Sequence, residues 1–166
     1  AENDQLKEQL DTYRSTLAQY EQNSYELDRL QKLYELDAQY TDYDKTGARV
    51  ISKDTGNWFD VFYIDKGTDD GLSIGCNVLY GNGLCGIITE IGADYAKVRS
   101  IIDDTTNVNA TILPAQAICN VSGSLTNYAD GYLLAENIDK DADISEGDQV
   151  VTSHVSSKYL SGINIG

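Results

Sequence analysis

The chain has 166 residues, a length of one or two domains that excludes a large multidomain enzyme. It is 41% hydrophobic and 9% aromatic, and no apolar run approaches the roughly 18 residues of a membrane span. Twelve Lys and Arg against 27 Asp and Glu leave a charge of −15, which repels a phosphate backbone or an anionic bilayer, so nucleic acid is not an expected partner.

Residues 1–46 contain no Gly or Pro. Within them Leu6, Leu10, Tyr13, Leu17, Tyr20, Ser24 and Leu27 recur at alternating spacings of four and three, the period of about 3.5 of a coiled-coil seam. The stripe then slips: the next apolar residues are Leu30, Leu33, Tyr34 and Leu36, which marks a stammer or stutter. The pattern predicts one continuous helix over residues 1–44, roughly 65 Å long, projecting from a β body about 35 Å across. An amphipathic stripe on such a helix needs a cover, and a second copy of the chain supplies it. The expected dimer interface is Leu6, Leu10, Tyr13, Leu17, Tyr20, Leu27, Leu30 and Tyr34. With Leu10 and Leu17 as a positions, the e and g sites hold Lys7, Gln9, Arg14, Thr16 and Glu21, a mixed set that encodes partner choice weakly.

From Gly47 onward short β-branched or aromatic runs alternate with Gly, Asp and Asn clusters. Strands are predicted near Arg49–Lys53, Trp58–Asp65, Asn77–Tyr80, Leu84–Ile91, Ala96–Ile102, Val108–Leu113, Ala117–Val121, Gly131–Ala135, Gln149–Ser153 and Ile163–Ile165, with no helix among them. The fold class is mainly β with a long N-terminal α-helix: a coiled coil over 1–46, then two small β-barrels over 47–112 and 113–166, the second incomplete. Leu72-Ser73-Ile74-Gly75-Cys76-Asn77-Val78 resembles Ile144-Ser145-Glu146-Gly147-Asp148-Gln149-Val150, a faint internal repeat in which each Gly permits a tight turn into the next strand. Trp58, Phe59, Phe62 and Tyr63 form the densest aromatic cluster. Strand alternation makes both of its faces substantially apolar, so these four are the candidates for binding a partner.

Motifs for chemistry fail on inspection. Gly81-Asn82-Gly83-Leu84-Cys85-Gly86 matches GxGxxG, but a β-branched strand follows where a dinucleotide site needs a helix. Asp139-Lys140-Asp141-Ala142-Asp143 opens like a calcium loop, yet Ile144 stands where Gly is required and Val150 where a bidentate Glu is required. His154, the single histidine, follows Ser153, and neighbouring strand residues point to opposite faces, so the two do not make a nucleophile and base by themselves. No Ser-x-x-Lys occurs. Asp69-Asp70 and Asp103-Asp104 fit turn chemistry. Cys76, Cys85 and Cys119 include no CxxC spacing and read as small buried hydrophobes. Neither a cofactor nor a metal is expected.

The order of features resembles the extracytoplasmic part of the bacterial rod-shape-determining MreC family: a coiled coil, Asn57-Trp58-Phe59, Ile64-Asp65-Lys66-Gly67, Asp70-Gly71, Gly83-Leu84-x-Gly86, Asp103, Gly147-Asp148, Val151-Thr152-Ser153 and Gly162-Ile163-x-Ile165-Gly166. Two positions depart from the family pattern: Leu160-Ser161 replaces a proline before Gly162, and His154 stands where Gly is commoner. The resemblance implies two small barrels, dimerisation through the helix and no enzymatic activity. It implies a scaffold role in the complex that elongates lateral cell-wall peptidoglycan, with a class B penicillin-binding transpeptidase, MreD and MreB as partners. It also implies a short cytoplasmic N-terminus and one membrane-spanning anchor ahead of Ala1, which would place this region on the outer face of the cytoplasmic membrane. A periplasmic adaptor of an efflux or secretion assembly is the alternative, although such adaptors usually carry a helical hairpin. A two-barrel protease is opposed by the missing triad.

Overall fold

The computed structural model describes residues 2–53, 60–155 and 157–166. The chain divides into two units, Ala1–Asp44 and Lys45–Gly166. The first is a single helix, α1 (Glu2–Gln39). Glu2 and Asp4 in its first turn oppose the positive end of the helix dipole. The hydroxyls of Thr12 and Thr16 donate back to the carbonyls of Glu8 and Thr12 at 2.8 and 2.9 Å. Arg29–Glu26 and Lys32–Asp28 ion pairs, at 2.6 and 2.9 Å, lie one turn apart on the surface and contribute about 0.2–0.5 kcal/mol each. The helix stops at Gln39 rather than at residue 44. Thr41, Asp42 and Asp44 follow, short polar residues whose side chains compete for nearby backbone.

The second unit holds β1 (Val50–Lys53), β2 (Val61–Ile64), β3 (Asn77–Tyr80), β4 (Gly83–Ile91), β5 (Ala96–Ser100), β6 (Asn107–Leu113), β7 (Ala117–Ser122), α2 (Leu125–Ala129), β8 (Leu134–Glu136) and β9 (Gln149–Thr152). These make two antiparallel sheets ordered β1-β2-β5-β4-β3 and β8-β7-β6-β9. Neither sheet closes on itself by strand pairing among the described residues. The expected small barrel over 47–112 and incomplete barrel over 113–166 are therefore not confirmed by strand pairing: the edge strands β1 and β3, like β8 and β9, do not pair with each other. The first sheet's last strand in the chain, β5, ends at Ser100, and the second sheet begins with β6 at Asn107.

The absence of helix beyond Gly47 is also corrected. Ser124 caps α2, its Oγ accepting from the Asn127 amide at 3.3 Å, while Asp104 Oδ1 accepts from the Leu125 amide at 2.8 Å. Gly131 (φ 89°) follows α2, so the strand expected from Gly131 begins only at Leu134. A single 3-10 turn covers Thr68–Asp70. The strand expected at Ile163–Ile165 is reduced to one bridge, between Val151 and Asn164.

Period-two alternation builds the cores. Phe62, Ile64, Ile88, Ala96 and Val98 are buried together in the first sheet, with Cys76 and Cys85 packed against them. On the second sheet Val108, Ala110 and Ile112 of β6 and Ala117, Cys119 and Val121 of β7 point inward. The C-terminal segment joins the two sheets. On one side Thr152 N–H donates to the Ile163 carbonyl at 2.8 Å and Ile165 N–H to the Val150 carbonyl at 2.8 Å. On the other, the Leu84 N–H donates to the Asn164 carbonyl at 2.8 Å, beyond the point where β5 has left β4. Asn77 extends the joint, its Oδ1 accepting from the Leu160 amide at 2.7 Å.

The internal repeat has a structural basis. In both copies the amide of the fourth turn residue donates to the serine carbonyl at 3.2 Å, Cys76 to Ser73 and Asp148 to Ser145, and the Gly between them has φ of 93° at Gly75 and 95° at Gly147. The serine amide is held in turn, by Cys76 Sγ at 3.4 Å and by Asp148 Oδ2 at 2.9 Å. A Cβ added at either glycine meets nothing within 4 Å, so substitution is felt by the backbone alone. Gly75→Ala and Gly147→Ala should each cost about 1–2 kcal/mol in urea unfolding. Unequal costs, or none, would show that the two turns are not equivalent.

Candidate interaction surfaces

Along α1 none of the eight seam residues is buried: Leu6, Leu10, Tyr13, Leu17, Tyr20, Leu27, Leu30 and Tyr34 are all exposed, from 48% at Leu10 to 75% at Tyr34. Helical periodicity places them along one stripe, broken by the shift after Leu27. The structure therefore brings the predicted seam together as a surface feature of one helix.

The aromatic cluster separates. Phe62 points into the first core at 4% exposure, paired across the ladder with Val98 and surrounded by Ile64, Ile88 and Ala96. That is a correction: Phe62 is a packing residue, because alternation turns it to the same side as Ile64. Tyr63 and Val61 face the other way, half-buried, opposite Lys97 and Arg99 of β5. Lys97 is paired to Glu90 at 2.9 Å. Trp58 and Phe59 lie outside the described residues. Sequence reasoning missed the exposed Tyr80, Tyr95, Tyr128, Tyr132 and Leu134. Their only signal was position, next to glycine- or Asn-containing turns where a large side chain has no core to enter.

Residues of chemical interest are absorbed by the fold. The GxGxxG match is a two-residue hairpin, Gly81-Asn82, with Tyr80 paired to Gly83 and β4 following it. Ser153 is buried, its amide donating to the Asn109 carbonyl at 2.8 Å and its Oγ accepting from the Val155 amide at 3.2 Å, whereas His154 is exposed. Burial pushes the Cys85 thiol up to about 11, and the Cys119 thiol upward as well, which keeps both out of the nucleophilic thiolate form at neutral pH. Hydrogen bonds from Lys66 Nζ at 2.9 Å and the Gly67 amide at 3.1 Å hold the Asp70 carboxyl below its ordinary range. The contact is therefore stabilising above the ordinary carboxylate range and is lost as pH falls through the lowered value. Asp139 Oδ1 accepts from the Asp141 amide at 3.2 Å, and Asp103 Oδ1 from the Thr105 amide at 2.8 Å, both turn bonds. Among the described residues no three His, Cys, Asp or Glu side chains are grouped to hold a metal ion, and no helix is long and apolar enough to cross a membrane.

Comparison with known proteins places this arrangement. A family model described as rod shape-determining protein MreC, barrel core, matches residues 50–166. The cell shape-determining protein MreC of Listeria monocytogenes is 32% identical over 171 residues, covering 99% of this chain and 56% of that protein. Its counterpart in Haemophilus influenzae is 28% identical over 161 residues, covering 97% of this chain and 45% of that protein. The chain thus spans about half the length of the curated relatives it matches. The solved structure of Listeria MreC is similar along 100% of this chain and 80% of that one, at a TM-score of 0.68 and 31% identity.

Proposed function

Because the chain belongs to the MreC family of rod shape-determining proteins, we propose that it is a non-enzymatic scaffold of the cell-wall elongation complex, self-associating through α1 and holding a class B penicillin-binding transpeptidase on its β unit. The observation that carries this reading is the stripe of leucines and tyrosines along α1, which the chain's own fold leaves exposed from Leu6 to Tyr34. Buried against a copy of itself, the stripe forms a coiled coil whose seam slips once after Leu27. MreD and MreB enter as partners by family resemblance, as do an extracytoplasmic position and a single-pass anchor outside this sequence. An efflux or secretion adaptor has no observation in its favour.

Two measurements test the proposal. Sedimentation equilibrium of Leu10→Asp/Leu17→Asp should give a monomer where the unaltered chain gives a dimer or larger assembly. An unchanged mass distribution places self-association elsewhere. Tyr63→Ala, with an unchanged melting temperature, should weaken binding to the transpeptidase by about thirtyfold, the equivalent of about 2 kcal/mol for an aromatic anchor. Unchanged affinity moves the contact off Tyr63, and no binding by the intact chain sinks the scaffold reading in this form.

A further inference from the structure

The outward face of the second sheet has two halves of opposite character. Asn107, Asn109, Asn120 and Ser122 make one half polar. The other is a cross-strand row, Val151 of β9, Thr111 of β6 and Ile118 of β7, directly paired in register. Ile118 is 55% exposed although its strand is central to the sheet. A groove of two lobes begins over this row and continues past Ile118. One lobe, about 780 Å³, extends from Gln116 and Ile118 to Asp139 and Asp141. The second, about 280 Å³, extends from the same two residues past Leu113 and Val151 to His154.

Two features say what fits. The two lobes meet at Gln116 and Ile118 and together reach from Asp141 to His154 as an open surface, which suits an extended chain better than a compact small molecule. Its floor is aliphatic and one end is acidic: residues 137–148, the connection from β8 to β9 that supplies Asp139 and Asp141, contain five Asp or Glu and one Lys. A second copy of this chain is disfavoured as occupant because it brings its own charge of −15 to an acidic rim.

We propose that this groove docks an extended segment of a partner protein in which aliphatic side chains alternate with lysine or arginine. The aliphatic side chains lie on Ile118, Leu113 and Val151, and the basic group reaches Asp139 and Asp141. The surface belongs to the second sheet and is distinct from the Tyr63 face of the first, so the two are separable by mutation.

The test is amide chemical-shift mapping of the labelled chain with three capped nonapeptides, alternating Lys/Val, Glu/Val and Lys/Ser. The Lys/Val peptide should give saturating shifts at Gln116, Ile118 and Asp139, with the other two binding about tenfold more weakly or not at all. Asp139→Asn/Asp141→Asn should weaken the Lys/Val peptide by about tenfold at low salt. Ile118→Ser, an exposed site that leaves the fold intact, should erase the preference for Val over Ser. Absence of saturable shifts, shifts spread over the whole acidic surface, or equal binding of Lys/Ser each overturns the proposal. So do concentration-dependent shifts at the same amides without peptide, which would assign the face to a second copy.

Discussion

Replacing Ile163 by alanine is expected to lower the unfolding free energy by about 2–5 kcal/mol, the cost of emptying a fully buried aliphatic site. Ile163 is 0% exposed. Its amide donates to Thr152 Oγ1 at 2.8 Å and its carbonyl accepts from the Thr152 amide at 2.8 Å, so both backbone groups are fixed and the segment has little freedom to collapse into a void. The Thr152 hydroxyl is buried too and donates to the Leu160 carbonyl, which pins the loop from the other side. Urea unfolding followed by circular dichroism reads the effect. A loss below about 1 kcal/mol, typical of Ile→Val rather than Ile→Ala, would mean that Ile163 is not packed as described.

The Gly83→Ala variant should cost about 1–3 kcal/mol by overpacking, through a single contact. A Cβ at Gly83 would stand 2.1 Å from the Asn164 carbonyl oxygen and 2.8 Å from its carbon, so the C-terminal segment must move off β4. The Leu84 amide then loses its acceptor. Hydrogen exchange should show the Leu84 amide deprotected while that of Val98, in the first core, keeps its protection. Gly81→Ala, two positions away in the same hairpin, meets nothing within 4 Å and carries only the strain of φ 61°. Equal exchange profiles for the two variants would remove the joint between Asn164 and Leu84 from the explanation.

What was legible in the sequence was local. The helix was readable because residues 1–46 lack Gly and Pro and keep a heptad spacing, and its end was misplaced because Thr41 and Asp42 weaken propensity without marking a stop. Strands β6 and β7 alternate cleanly, so Val108, Ala110 and Ile112 were assignable to a buried face. At β2 alternation gave the pairing of Phe62 with one face and Tyr63 with the other. Which face met the core depended on Ile88 and Val98, residues from strands 20 and more positions away. Helix α2 escaped notice because five residues carry no period and only Ser124 signals a start. Barrel closure and the Asn164 joint were unreadable for a common reason: both depend on which distant edges meet, and no local residue type encodes that. The candidate surface on α1 was legible, whereas the groove over Ile118 required the register of three strands.

The joint at the end of the sequence sets an order of assembly. Asn77 waits for Leu160, a partner 83 residues later in the chain. The hairpins β3–β4 and β6–β7 close over short loops and are free to form as soon as they emerge, before their neighbours exist. The seam between the sheets has no such freedom, since it needs residues that are synthesised after everything they bind. Until then each half carries an open strand edge, and open edges invite pairing with other chains. Between emergence of β4 and of Asn164, the Leu84 and Thr152 amides therefore stand without the acceptors that hold them in the finished fold.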